Sequence, residues 1–149
     1  LRAATVPHHG CLVRVSKDGS KLEIVATGHR APNGMSVGPQ GELTSSDNEG
    51  NWVPTSRVNF VKPGGFYGHV HTAHRADPPN DYDKPLLWLP HQADNSSGGQ
   101  VWVTSDRWGP FDGDLLHLSY GKSSMFKILK EEVEGGVMMI ESPPIGGGY

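Results

Sequence analysis

One cysteine, Cys11, is the only thiol in this 149-residue chain. It can close no internal disulfide and build no cysteine-based metal cluster. Following Gly10 at the start of an apolar run, Cys11 reads as a small buried filler. Helical periodicity is nearly missing as well. Only Phe126–Glu134 (FKILKEEVE) could carry a helix, and its β-branched residues and trailing glycines suit a strand and charged turn equally well. No apolar run approaches the roughly 20 residues a membrane-crossing helix needs. The 13 basic residues are scattered among 16 acidic ones, so the footprint of a nucleic-acid binder is lacking and no such partner is expected. A GxSxG elbow and a P-loop are absent too, which argues against serine hydrolysis and nucleotide chemistry. The chain opens on LRAAT without a methionine or signal peptide and closes on PPIGGGY directly after a strand. Residues 1–149 are therefore expected to form one partial domain of a longer protein.

Turn formers are abundant instead. Glycine (20) and proline (12) exceed a fifth of the residues, with hydrophobic content at 35%. That balance fits an all-β domain of short strands and tight turns. Alternation predicts ten strands: 11–15, 21–26, 34–37, 42–46, 57–61, 85–90, 100–104, 113–119, 124–129 and 136–141. Lys17-Asp18-Gly19-Ser20 joins the first two as a hairpin. A strand with a polar residue inside it (LVRV, RVNFV, MFKIL) precedes an apolar one (LEIVA, LLWLP, VMMIE) three times. Such repetition is the mark of a β-propeller, here about two and a half four-stranded blades. A β-sandwich is the alternative, and it explains the paired repetition less well.

Several polar clusters could carry chemistry. Pro32-Asn33-Gly34 is either a turn or a means of aiming the Asn33 amide at a ligand. Asp47-Asn48-Glu49-Gly50-Asn51 offers the oxygens a hard cation such as Ca²⁺ prefers, yet a solvated turn has the same composition. His69 and His71, two apart and on one face if the segment is a strand, suit acid–base work near neutral pH. An exposed histidine loop is the plainer reading. Asp94-Asn95-Ser96-Ser97-Gly98-Gly99 repeats the design of polar groups followed by glycines, which let backbone approach a ligand, and a blade-to-blade connection explains it too. Trp102 and Trp108 read as packing anchors.

Gly28-His29-Arg30, the Pro-X-Gly before a strand, the polar loop and Lys62-Pro63-Gly64-Gly65-Phe66-Tyr67-Gly68 together resemble the soluble quinoprotein glucose and sorbosone dehydrogenases. Those are β-propellers that bind pyrroloquinoline quinone and Ca²⁺ at the channel mouth. The segments LLWLPHQADNSSGGQVWV and RWGPFDGDLLHLSYGKSSMFKIL are similar to a branch found in large secreted bacterial proteins. In that branch a cytochrome c-type haem domain, separate from these residues, follows the propeller. The resemblance implies that Arg30 contacts the quinone, that Asn33 replaces a glutamine near the active site, and that carbonyls of Glu49 and Gly50 hold the Ca²⁺. Gly64, Gly65, Tyr67 and Asn95 join Arg30 and Asn33 as candidate cofactor contacts. Asp47 and Asn48 join Glu49 and Gly50 as candidate metal ligands, and His69 and His71 are candidate catalytic bases. The chain departs from the dehydrogenases at Ala31, at Pro54-Thr55-Ser56-Arg57 and at His69, where they have asparagine, an acidic run and tryptophan. Their catalytic histidine lies on an earlier blade.

The resemblance thus implies oxidation of a sugar or polyol hydroxyl with transfer to a quinone, in the periplasm or outside the cell. A cytochrome c-type domain would be the electron acceptor. Two other classes share these features: a calcium-dependent lactonase-like propeller, in which Asn33 would be a metal ligand, and a propeller that only binds.

Overall fold

The computed structural model describes residues 6–77, 79–133 and 136–147. Among the described residues eleven strands run in chain order: β1 (Leu12–Val15), β2 (Leu22–Thr27), β3 (Gly34–Val37), β4 (Leu43–Asp47), β5 (Ser56–Phe60), β6 (Gly65–Phe66), β7 (Leu87–Leu89), β8 (Ser97–Trp102), β9 (Leu115–Ser119), β10 (Ser124–Val133) and β11 (Gly136–Gly147). They make two antiparallel four-stranded sheets, β3-β4-β5-β7 and β8-β9-β10-β11, beside a smaller one in the order β1-β2-β6. Two whole blades and part of a third match the propeller expectation. The ambiguous segment 126–134 lies in β10 up to Val133, and no helix forms there.

The departures are local. Pro143 and Pro144, expected after the last strand, lie within β11. An edge strand tolerates them, because its outer N–H groups need no partner. Val70–Thr72 is a 3-10 turn, not a strand, so the one-face argument for His69 and His71 does not apply. Trp108 is 55% exposed, unlike the packing anchor expected, whereas Trp102 is buried. Cys11 is only partly buried.

Strand β6 falls where the sequence reads as a turn, and it matters most for the site. Between β5 and β7 the chain leaves its own blade, and β6 pairs in parallel with β2 through Ala26↔Gly65 and Thr27↔Phe66. Tyr67 N–H then donates to Thr27 O (2.9 Å), and His69 N–H to Gly28 O (2.8 Å). This detour stitches the partial blade to the first full one. Gly28 has φ +83, and a Cβ there would lie 2.5 Å from Phe66 Cδ2. Only glycine combines that backbone with that approach.

The two seams are packed differently. Between the full blades, Trp102, Leu115 and Ile128 are buried with Leu86 and Leu87 against them. Side chains of this size contribute roughly 1.5–3 kcal/mol each when fully buried. Val25, Ala26, Val61 and Tyr67 form the smaller apolar cluster at the other seam. The rest of that seam is polar, with His29, Ser45, Asp47, Arg57 and Asn59 all buried.

In the second blade one carboxylate ties the loop entering β8 to β9. Asp94 accepts Ser97 Oγ–H (2.7 Å), Ser119 Oγ–H (2.7 Å), His117 Nε2–H (3.0 Å) and Ser96 N–H (3.0 Å). Burial alone would raise its pKa, but those donors prevail and bring it down to about 2. A folded-state value below the unfolded one stabilises at pH above about 4, and that contribution fades as pH falls through about 2. The shift corresponds to about 2 kcal/mol. Asp94→Asn is therefore expected to flatten the acid limb of stability between pH 4 and 2. At pH 7 it should cost about 2–4 kcal/mol, because buried donors lose their acceptor. Urea unfolding of both proteins across that pH range checks this, and identical acid limbs would refute it.

Candidate functional site

Buried polar groups gather where β3 and β5 begin and β4 ends. Asp47 closes β4 with its side chain fully buried. Its Oδ2 accepts Arg30 N–H (2.9 Å) and an Arg57 guanidinium N–H (3.1 Å). Its Oδ1 accepts Ala31 N–H (2.8 Å) and Asn48 N–H (2.9 Å). A carboxylate has about four accepting positions. All are used here by protein donors, three of them backbone N–H groups. Its observed work is to bind the 28–33 loop, the 47–51 loop and β5 into one unit.

Arg57 is a fully buried cation whose charge partner is that carboxylate. Sequence reasoning places it only among the departures from the family. The signal is there, since Arg57 and Asn59 alternate on β5 opposite Asp47 and Ser45 on β4. Polar residues at period two on a buried strand imply a polar seam. His29 lies in the same seam, stacked on Tyr67 with ring centroids 5.0 Å apart. Burial lowers its pKa, with Asp47 opposing and Arg57 adding, so His29 stays neutral near pH 7.

Across from Asp47, Gly50 pairs with Val53 in a tight turn (Gly50 N–H to Val53 O 2.9 Å; Val53 N–H to Gly50 O 3.3 Å). A Cβ on Gly50 would lie 3.5 Å from His69 Cδ2 and 3.6 Å from Arg30 Cδ. Arg30, Gly50 and His69 therefore surround one small cradle. The Arg30 side chain is exposed and forms no ion pair among the described residues. The His71 ring stands edge-on to that of His69, 5.4 Å between centroids.

Thr72, which the sequence does not flag, faces the His69 ring. The Thr72 hydroxyl lies 2.8 Å from His29 O, 3.0 Å from His69 O and 3.2 Å from His69 Nδ1. When its single proton goes to one of the carbonyls, its oxygen accepts Nδ1–H and His69 keeps a lone pair on Nε2. Burial lowers its pKa first and the neighbouring His71 second, with Asp47 opposing. A neutral imidazole with a fixed acceptor nitrogen is the form a general base requires.

The other candidates lie elsewhere. Tyr67 is fully buried, its hydroxyl donating to Phe60 O (2.7 Å) and accepting Lys62 N–H (2.9 Å). Burial pushes its pKa up to about 12. Its ring is part of the core at the seam with the partial blade. Gly65 is buried in β6, and Gly64 forms the exposed turn before it. Asn33 donates from Nδ2 to Ser97 O (3.1 Å) and clips the two full blades together. It borders an open depression of about 930 Å³ lined also by Gly98, Gly99, Tyr120 and Met125, which does not include Arg30 or His69. Asn95 is exposed on the loop entering β8 and packs beside Gly121. Asn48 and Glu49 are half-buried. Among the described residues no three His, Cys, Asp or Glu side chains converge on a possible metal position.

The fold has counterparts among solved structures. An oxidoreductase of Thermus thermophilus, named as a glucose dehydrogenase, superposes with a TM-score of 0.62 at 25% identity over 89% of this chain. The soluble aldose sugar dehydrogenase of Escherichia coli, in its apo form, gives 0.61 at 18% identity over 91%. The aldose sugar dehydrogenase of Streptomyces coelicolor, in its pyrroloquinoline quinone-bound form, gives 0.59 at 16% over 88%. The fold is that of the sugar-dehydrogenase propellers. This chain spans 37%, 44% and 39% of those three structures, respectively. No protein-family profile matches the chain, and no curated protein matches it. No helix among the described residues is long and apolar enough to cross a membrane.

The buried pair at the centre of the site is unequal. Removing Arg57 leaves Asp47 three backbone N–H donors, whereas removing the Asp47 charge leaves a guanidinium buried without a counter-ion. Asp47→Asn is expected to cost about 3–5 kcal/mol and Arg57→Met about half as much. Denaturant midpoints at pH 7 measure both, and a reversed order would contradict the assignment of Asp47 as the hub.

Proposed function

We propose that this chain supplies part of the cofactor mouth of a quinone-dependent sugar or polyol dehydrogenase. The observation that carries the reading is the cradle of Arg30, Gly50 and His69, set on a sugar-dehydrogenase propeller fold. An outward-facing guanidinium beside a glycine that leaves room for a flat group suits an anionic, planar cofactor. Pyrroloquinoline quinone, present in the Streptomyces neighbour, has that character, and the residues here fit it. Bound there, it would supply the acceptor for a hydride from the substrate's carbinol carbon.

Within this reading Arg30 pairs with the cofactor's carboxylates, and Asp47 keeps the Arg30 backbone in place from inside. His69 Nε2 takes the proton of the substrate hydroxyl, with Thr72 holding the ring through Nδ1. His71 stands behind it, its ring edge-on to that of His69. Among the described residues no three His, Cys, Asp or Glu side chains converge near Asp47. Any cation here would rest on Asn48, Glu49 and the Gly50 carbonyl, and no step depends on it. Activity of the complete protein outside the cytoplasm, with a cytochrome c-type domain as electron acceptor, belongs to the same proposal.

The test is reconstitution with pyrroloquinoline quinone and Ca²⁺, followed by dye-linked oxidation of a panel of sugars and polyols. Gly50→Ala is the informative variant, because its Cβ would make only ordinary contacts at 3.5–3.8 Å. Stability should change by less than about 1 kcal/mol, while quinone affinity falls at least about tenfold. Arg30→Ala should weaken quinone binding further, and His69→Gln should lower kcat with binding retained. Absence of both quinone binding and dye reduction in the complete protein would sink the reading.

A further inference from the structure

The turn that forms one wall of the cradle also presents an aromatic side chain that the proposed chemistry does not use. Trp52 stands between Gly50 and Val53, at the tip of that turn, and is 38% exposed. Its indole meets Phe66 edge-on at 6.5 Å and lies tilted against Tyr82 at 6.1 Å. Lys84 Nζ sits 3.9 Å from the centroid of the Tyr82 ring. Phe66 in turn fills the space beside Gly28, and Tyr82 the space beside Gly68. A tryptophan needed only for packing would be covered. This one is braced by its neighbours and is 38% exposed, two residues from the glycine whose missing Cβ would meet Arg30 and His69. Trp108 and Tyr120 are exposed as well, at 55% and 79%. They belong to the β8–β9 and β9–β10 connections and do not share the Gly50 turn.

We propose that Trp52 is a stacking platform for the pyranose ring of the sugar, holding its apolar C–H face while the oxidised hydroxyl points at His69. The inference rests on the sugar-dehydrogenase reading and deepens it. It makes the substrate a sugar ring with one apolar face, in preference to an open-chain polyol. A braced indole needs no ordering when the ligand arrives, so its contact area translates into affinity. Binding sites of this type combine aromatic walls with a few placed polar groups, the combination that Trp52, Arg30 and His69 supply.

The test has two arms, so that failure of the platform and failure of the redox reading remain distinct. In the quinone-loaded full protein, Trp52→Ala is expected to raise the KM for a pyranose at least about fivefold. Its kcat should stay within about twofold and its quinone affinity should not move. Trp52→Phe should recover most of the loss, and an unchanged thermal midpoint separates this effect from lost packing. In the full protein without quinone, titration with the same pyranose should quench tryptophan fluorescence in the parent and in Trp108→Phe but not in Trp52→Phe. Equal KM values for parent and Trp52→Ala, or quenching that survives in Trp52→Phe, would overturn the platform. If quinone fails to bind, the redox reading falls, and the second arm alone decides the role of Trp52.

Discussion

The site depends on one buried carboxylate. Asp47 gathers three backbone N–H groups and one guanidinium around two oxygens. Through these bonds the loop before β3, the loop after β4 and the start of β5 acquire a single geometry. Each loop is short and rich in residues with weak conformational preference, so neither could hold its position alone. An ionised acceptor makes such bonds strong, because charge-assisted hydrogen bonds are worth about twice neutral ones. The cost of burying the charge is offset by Arg57, which is buried beside it. Such a pair adds little net stability compared with an apolar replacement, but it forbids alternatives, because any rearrangement strands a charge.

The second blade solves a related problem with a different partner set. Asp94 stands before β8 and reaches to β9, whereas Asp47 stands at the end of β4 and reaches back to the loop before β3. Both carboxylates connect the entry of a blade's first strand to the strand beside it. The first strands, β3 and β8, therefore start from fixed points that Asn33 joins by donating to Ser97 O across the seam. The blade seams divide the labour: the apolar one carries packing energy and the polar one carries positional information.

Much of this was legible in the chain. Alternation and the repeat of a polar-centred strand before an apolar one point to the blades, because a strand buried on one face must alternate. What stayed hidden has physical causes. Two-residue β6 is too short to show a period, and its pairing with β2 is decided by a neighbour about 40 residues away in sequence. Tyr67 sits in a motif that looks like a displayed turn, but the β6 detour turns its ring inward onto His29. An acid-rich loop has the same composition whether its carboxylate binds a cation or its own backbone, so composition alone does not reveal that Asp47 gathers three backbone N–H groups. Thr72 carries no signal, because an isolated threonine in a turn is ordinary until a histidine nitrogen is found against it.

The division of charge around Asp47 connects the fold to the proposed chemistry. Asp47 holds Arg30 by its backbone N–H and directs its negative charge to Arg57 instead. Were the Arg30 guanidinium paired with Asp47, the mouth would be electrically quiet and an anion would have to displace a carboxylate. With Arg57 inside as the partner, the Arg30 charge is left facing outward, uncompensated, next to a glycine and a neutral histidine. An exposed guanidinium that forms no ion pair among the described residues is open to an anion, whereas Arg57, buried beside Asp47, is not.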